Sequence, residues 1–188
     1  MSTTVTPLLP GNWYHIYNRG ISGQDLFLEQ KNYDFFLKQL AKHVLGVAAI
    51  YAYCLLRNHF HLLARILDNP EKKPHLGFSN VFNSYAQAIN KLYDRTGSLF
   101  ERPFRRKLID SEAYRVQVLF YIHYNPMHHG FSDDFRNYPY SSYHPMLSDM
   151  PTHLKREEAL SWFGGREGFI EFHQTQPNFE SIRDYVIE

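Results

Sequence analysis

Apolar and polar positions along the chain change period several times, and each change marks an element. Residues 13–20 (Trp-Tyr-His-Ile-Tyr-Asn-Arg-Gly) alternate and end at a glycine, which predicts a first strand and a turn. Residues 31–45 place Phe35, Phe36, Leu40, Val44 and Leu45 on one side, with Lys38 and Lys42 opposite. This is the spacing of an amphipathic helix, stopped at Gly46. Residues 47–57 and 59–66 are strand-like apolar runs, joined across Arg57-Asn58 as a hairpin turn. Residues 75–93 repeat Leu76, Val81, Phe82, Tyr85, Ile89 and Leu92, a second amphipathic helix closed by Gly97. Arg105 to Ile109 reads as a fourth strand. Ser111 and Glu112 open a third helix, expected to stop at Asn125 because Pro126 disfavours helix in the residue before it. Residues 138–143 are a turn-rich aromatic segment, and residues 155–163 and 167–174 form short terminal helices.

The order strand, helix, strand, strand, helix, strand, helix predicts an α+β fold. Its first six elements match a ferredoxin-like split βαβ antiparallel sheet, with added C-terminal helices. Two helices cover one face, and the other face is open to a ligand or a further helix. Residues 1–12 read as a loose N-terminal arm, 13–145 as the domain, and 146–188 as a helical extension packed on it.

Composition narrows the class. At 188 residues and 44% hydrophobic the chain has enough apolar surface for a real core. A net charge of +1 means that any nucleic-acid surface must come from local clustering. The single cysteine, Cys54, excludes an internal disulfide and a cysteine zinc cluster. No apolar run approaches the ~20 residues of a membrane span, so a cytoplasmic protein that does not engage membranes is the default expectation.

The chemistry centres on His59-Phe60-His61. On a strand the two imidazoles point the same way, roughly 6.5–7 Å apart at the backbone, and can converge on one metal ion. Tyr121 and Asn125 are four apart on the third helix and share a face, while Leu119 and Ile122 face elsewhere. If the two faces meet, the site holds two imidazoles, an amide oxygen and a phenol. Such a set suits a catalytic Mg²⁺ or Mn²⁺. The phenol would be a nucleophile toward a phosphodiester. Tyr124 is its rival but sits off the Asn125 face.

These residues carry a family resemblance. His59-Phe60-His61, within Tyr53-Cys54-Leu55-Leu56-Arg57-Asn58-His59-Phe60-His61-Leu62-Leu63, resembles the His-hydrophobic-His motif of single-tyrosine (HUH) transposases. Tyr121-Ile122-His123-Tyr124-Asn125-Pro126 is similar to the tyrosine helix of their REP-associated branch. Residues 14–20, 99–105 and 138–143 are similar to that branch too, in the same order. Arg57 and Tyr140 depart from it, at positions away from the metal set. The resemblance implies a metal-dependent transposase that cuts and rejoins single-stranded, hairpin-bearing DNA through a 5′-phosphotyrosine. It implies Tyr121 as nucleophile, His59, His61 and Asn125 as ligands, and leaves both a monomer and a homodimer open.

DNA contacts are expected from Arg102, Arg105, Arg106 and Lys107, whose cations interleave with Phe100 and Phe104 as in phosphate contact with base stacking. His15, Asn18 and Arg19 at the end of the first strand are further candidates. His123, His128 and His129 cluster near the site in sequence and read as polar residues facing water. Two other functions fit the same residues. One is a single-stranded nucleic-acid-binding module without chemistry, and the other is a metal-dependent phosphodiesterase that does not use the tyrosine.

Overall fold

The computed structural model describes residues 5–175. Residues 1–4 of the arm and 176–188 of the C-terminal extension lie outside the described residues. The strands are β1 (Trp13–Arg19), β2 (Ala48–Leu56), β3 (His59–Ile66) and β4 (Arg105–Ile109). The helices are α1 (Gln30–Val44), α2 (Pro74–Leu92), α3 (Glu112–His128), α4 (Tyr143–Leu147), α5 (Arg156–Ser161) and α6 (Arg166–Thr175). The sheet is antiparallel with order β2-β3-β1-β4, the α+β arrangement that the element order predicts.

Strand alternation divides the molecule into two cores. Tyr14 and Ile16 of β1 and Phe60, Leu62, Ala64 and Ile66 of β3 face α1 and α2, where they meet Phe36, Val44, Phe78, Phe82 and Tyr85. α1 starts at a capping box in which the Asn32 side chain accepts from the Glu29 backbone. On the opposite face, Leu63 of β3 and Leu56 of β2 pack under Val118, Leu119 and Ile122 of α3. Ala159, Leu160 and Phe169 of the terminal helices close that second core. Of the two occupants expected for the second face, a further helix is the one that fills most of it. α3 covers it except at the end where β1, β3 and β4 carry their polar residues.

Two local expectations need correction. The arm is not loose from Pro7 onward. Leu8 is buried, the Tyr14 hydroxyl donates to Pro7 O at 2.9 Å, and Gly11 N donates to Ile66 O at 3.0 Å. Nor does Pro126 end α3, which runs on to His128 with the proline inside it. A helical proline removes one backbone donor and crowds the preceding turn. Here Asn125 Nδ2 donates to Tyr121 O at 2.8 Å, a side-chain bond back to the preceding turn just before the break.

The outer edge of β2 is occupied by the chain's own later segments. Leu55 N donates to Tyr140 O, Ser142 N to Tyr53 O and Lys155 N to Ile50 O, at 2.9, 2.8 and 2.9 Å. No described helix is long and apolar enough to cross a membrane.

Candidate functional site

Register places seven polar side chains on one sheet face. His59 and His61 alternate with Phe60 on β3, and β1 sets Tyr17 opposite His61 and Arg19 opposite His59. β4 sets Arg105 opposite Tyr17 and Lys107 opposite His15. The end of this face opens into a cavity of about 280 Å³ lined by Tyr17, Arg19, His59, His61, Arg105, Tyr121 and His129, among others. Tyr121 therefore reaches the histidines from α3. Its ring meets the His61 ring edge-on at 5.6 Å between centroids and the His15 ring at 5.8 Å. Tyr124, the rival tyrosine, packs instead against Phe120 and Phe135.

The two histidines are held in the same way. His59 Nδ1 lies 2.7 Å from Asn58 Oδ1, and His61 Nδ1 lies 2.9 Å from His15 Nε2. An amide oxygen only accepts, so His59 carries its proton on Nδ1. If His61 likewise donates from Nδ1, both rings turn an Nε2 lone pair the other way. Both Nε2 atoms are buried and have no hydrogen-bond partner among the described residues. This is the arrangement in which an outer partner fixes the tautomer and leaves the other nitrogen for a metal.

Electrostatics keep the rings neutral. Burial, then the neighbouring His129, Arg19 and His128, push His59 down to about 3. Burial, then His15 and His59, hold His61 well below its ordinary value. Burial and Lys107 bring His15 to about 3. Neutral imidazoles are the form that ligates.

A third imidazole stands beside the pair. Ring nitrogens of His59, His61 and His129 all lie within 4.8 Å of one another, so His129 joins the pair rather than facing water. Asn125 is fully buried, and its Oδ1 has no hydrogen-bond partner among the described residues, while Nδ2 is committed to Tyr121 O. Its open atom is thus the oxygen, the donor a hard divalent ion takes. The clustered imidazoles of His59, His61 and His129 fit a divalent metal.

Several expected DNA contacts are placed elsewhere. Phe100 and Phe104 turn inward and pack on Phe82, at 5.4 and 5.2 Å, so neither offers a face to a base. His15 is fully buried behind His61. Asn18 does line the cavity, though it is buried, its Nδ2 donating to Glu101 O at 3.1 Å. The basic stretch divides between two faces. Arg105 and Lys107 lie on the histidine face, while Arg106 pairs across from Ile16 and stacks over Phe104 at 4.0 Å. Arg19, Arg102 and Arg105 are exposed. His123 does not face water either: it bonds Ser142 Oγ at 2.7 Å and His173 Nε2 at 3.0 Å, tying α3 to α6.

The roles of Asn58, His15 and His129 were missed from the sequence. Only Asn58 carried a local signal, as a side-chain acceptor adjoining the histidine motif.

No family model matches the chain. A curated Haemophilus influenzae protein assigned to the REP-associated tyrosine transposases is 29% identical over 101 residues, which span 50% of this chain and 57% of that relative's length. A solved structure of a REP-associated tyrosine transposase bound to a REP hairpin superposes with a TM-score of 0.67 at 16% identity, covering 80% of this chain and 89% of that one. In sequence over half its length and in fold over most of it, the chain resembles the REP-associated tyrosine transposases.

Proposed function

We propose that this protein is a metal-dependent transposase that cuts and rejoins single-stranded DNA bearing a hairpin, through a 5′-phosphotyrosine at Tyr121. One observation carries the reading. The Nε2 atoms of His59 and His61 are buried and have no hydrogen-bond partner among the described residues, the His61 ring meets Tyr121, and all three residues line one cavity. Two orphaned imidazole nitrogens beside a phenol would be costly in a mere binding surface. The hairpin substrate is inferred from the solved relative, which is bound to a REP hairpin.

His59 and His61 would hold the ion, with Asn125 Oδ1 and His129 as further donors. When bound, a divalent ion polarises the scissile phosphate and offsets charge on its non-bridging oxygens. The chain's own groups do the rest. Tyr121 Oη attacks phosphorus, the bond to the 3′ oxygen breaks, and that oxygen leaves as a hydroxyl. The proton lost by the phenol matches the proton gained by the leaving alcohol. A later 3′ hydroxyl reverses the step and joins strands without a nucleotide cofactor. Arg19 and Arg105 at the cavity mouth would hold the phosphates on either side, with Lys107 adding positive charge behind them.

The test is a covalent adduct between the full chain and a single-stranded hairpin oligonucleotide in Mn²⁺, resolved on a denaturing gel. The adduct is expected with wild type, and it should vanish with EDTA and in Tyr121→Phe. Tight binding indifferent to EDTA, with no cleavage of any substrate, would favour the non-catalytic module. Cleavage that survives Tyr121→Phe would favour a phosphodiesterase.

A further inference from the structure

The mouth of the cavity carries a charge arrangement that an incoming anion has to disrupt. Arg19 ends β1 and Arg105 begins β4, and both line the cavity beside His59 and His61. None of the residues lining it is acidic. Yet the two arginines share one carboxylate from just outside. Arg19 Nε lies 2.6 Å from Glu101 Oε1, and Arg105 Nη2 lies 3.4 Å from Glu101 Oε2. One oxygen serves each guanidinium, as two oxygens of a phosphodiester would.

Glu101 reaches this position by its backbone, not by its charge. Its N–H donates to Arg19 O at 3.0 Å, and its carbonyl accepts from Asn18 Nδ2 at 3.1 Å. The preceding residue, Phe100, is buried and forms a bridge with Gly20. The loop is thus fastened to the end of β1 whether or not the side chain is ionised. The side chains of Glu101, Arg19 and Arg105 remain 25%, 56% and 43% exposed, so the ion pairs can exchange partners without unfolding anything.

We propose that Glu101 is a stand-in for a backbone phosphate of single-stranded DNA. With no nucleic acid bound it holds Arg19 and Arg105 together at the cavity mouth. A phosphate flanking the cut site then displaces the carboxylate and takes both guanidiniums. The cost of that exchange lowers affinity for strands that do not seat fully. This rests on the reading that single-stranded DNA enters the cavity, but not on the tyrosine chemistry.

The experiment measures binding of a fluorescently labelled single-stranded hairpin oligonucleotide by anisotropy, in EDTA at fixed salt. Glu101→Gln should bind at least about fivefold tighter than wild type, since it removes two part-exposed ion pairs from the free state. Glu157→Gln, which neutralises a carboxylate 88% exposed on α5, corrects for the general gain from removing a negative charge and should change binding less than about twofold. In an Arg19→Gln/Arg105→Gln background the Glu101→Gln gain should disappear. Equal gains in the two glutamate variants, no gain at Glu101, or a gain that persists without the arginines would overturn the proposal. Thermal melting of Glu101→Gln should match wild type, because the backbone anchors remain. Adduct formation is read separately in Mn²⁺. If wild type forms no adduct while the binding pattern holds, strand transfer fails and the stand-in role survives; adduct without the binding pattern gives the reverse.

Discussion

His15 Nε2 stands 2.9 Å from His61 Nδ1, and that contact joins the first strand to a cavity-lining histidine of the third. It gives His15 a role behind the site rather than on a DNA surface. Removing it leaves His61 free to rotate and to change tautomer. We predict that His15→Ala weakens Mn²⁺ binding by about 10- to 100-fold, the usual effect of losing an outer partner. Calorimetric titration of the metal checks this, and unchanged affinity would remove His15 from the site.

The position of His129 leads to a second prediction. His129→Ala and Asn125→Ala should each lower Mn²⁺ affinity, and the pair together should lower it further than either alone. Loss of His129 should cost Mn²⁺ more than Mg²⁺, because imidazole contributes more to the softer ion. Titrating both metals into both variants decides which donor dominates.

Much of this was legible in the sequence, for reasons specific to particular residues. The period of two on β3 put His59 and His61 on one face before any tertiary contact was known. The four-residue spacing of Tyr121 and Asn125 did the same for α3. The His15 contact was not legible, because it depends on a register between strands some 46 positions apart. His129 was hidden by Pro126: a helix expected to stop there runs on to His128 and carries the next residue to the ring of His59, 4.5 Å away. Phe100 and Phe104 sit among cations in either environment, so only the path of their loop reveals that they pack on Phe82. His123 looked like a surface residue because its partners, Ser142 and His173, lie far along the chain.

Acid should destabilise the metal-free protein. Burial lowers His173 to about 4 and His15 to about 3, and it holds His123 well below its ordinary value. In the unfolded chain each takes up a proton near pH 6.5. Between about pH 6.5 and 4 the unfolded state therefore binds more protons, and stability falls as pH falls through that window. Urea midpoints in EDTA should drop from pH 7.5 to pH 5. An unchanged or higher midpoint at pH 5 would contradict the neutral state of these rings.

Phe60, between the two site histidines, points into the other core against Phe36 and Phe82, at 5.0 and 5.3 Å. Phe60→Ala should cost about 3–5 kcal/mol in denaturant unfolding. Phe60→Leu should cost much less and retain metal binding. A small loss with alanine would show that the aromatic is not part of the packing.

The occupied edge of β2 has a consequence for synthesis. This nine-residue strand is almost wholly apolar, and such strands recruit other chains when their backbone groups are bare. The segments that seal it, around Tyr140 to Ser142 and at Leu154 to Lys155, leave the ribosome long after it does. During that interval the nascent chain carries a sticky open flank. Slowed translation of the last third should therefore produce aggregates from a sequence whose finished form is well protected.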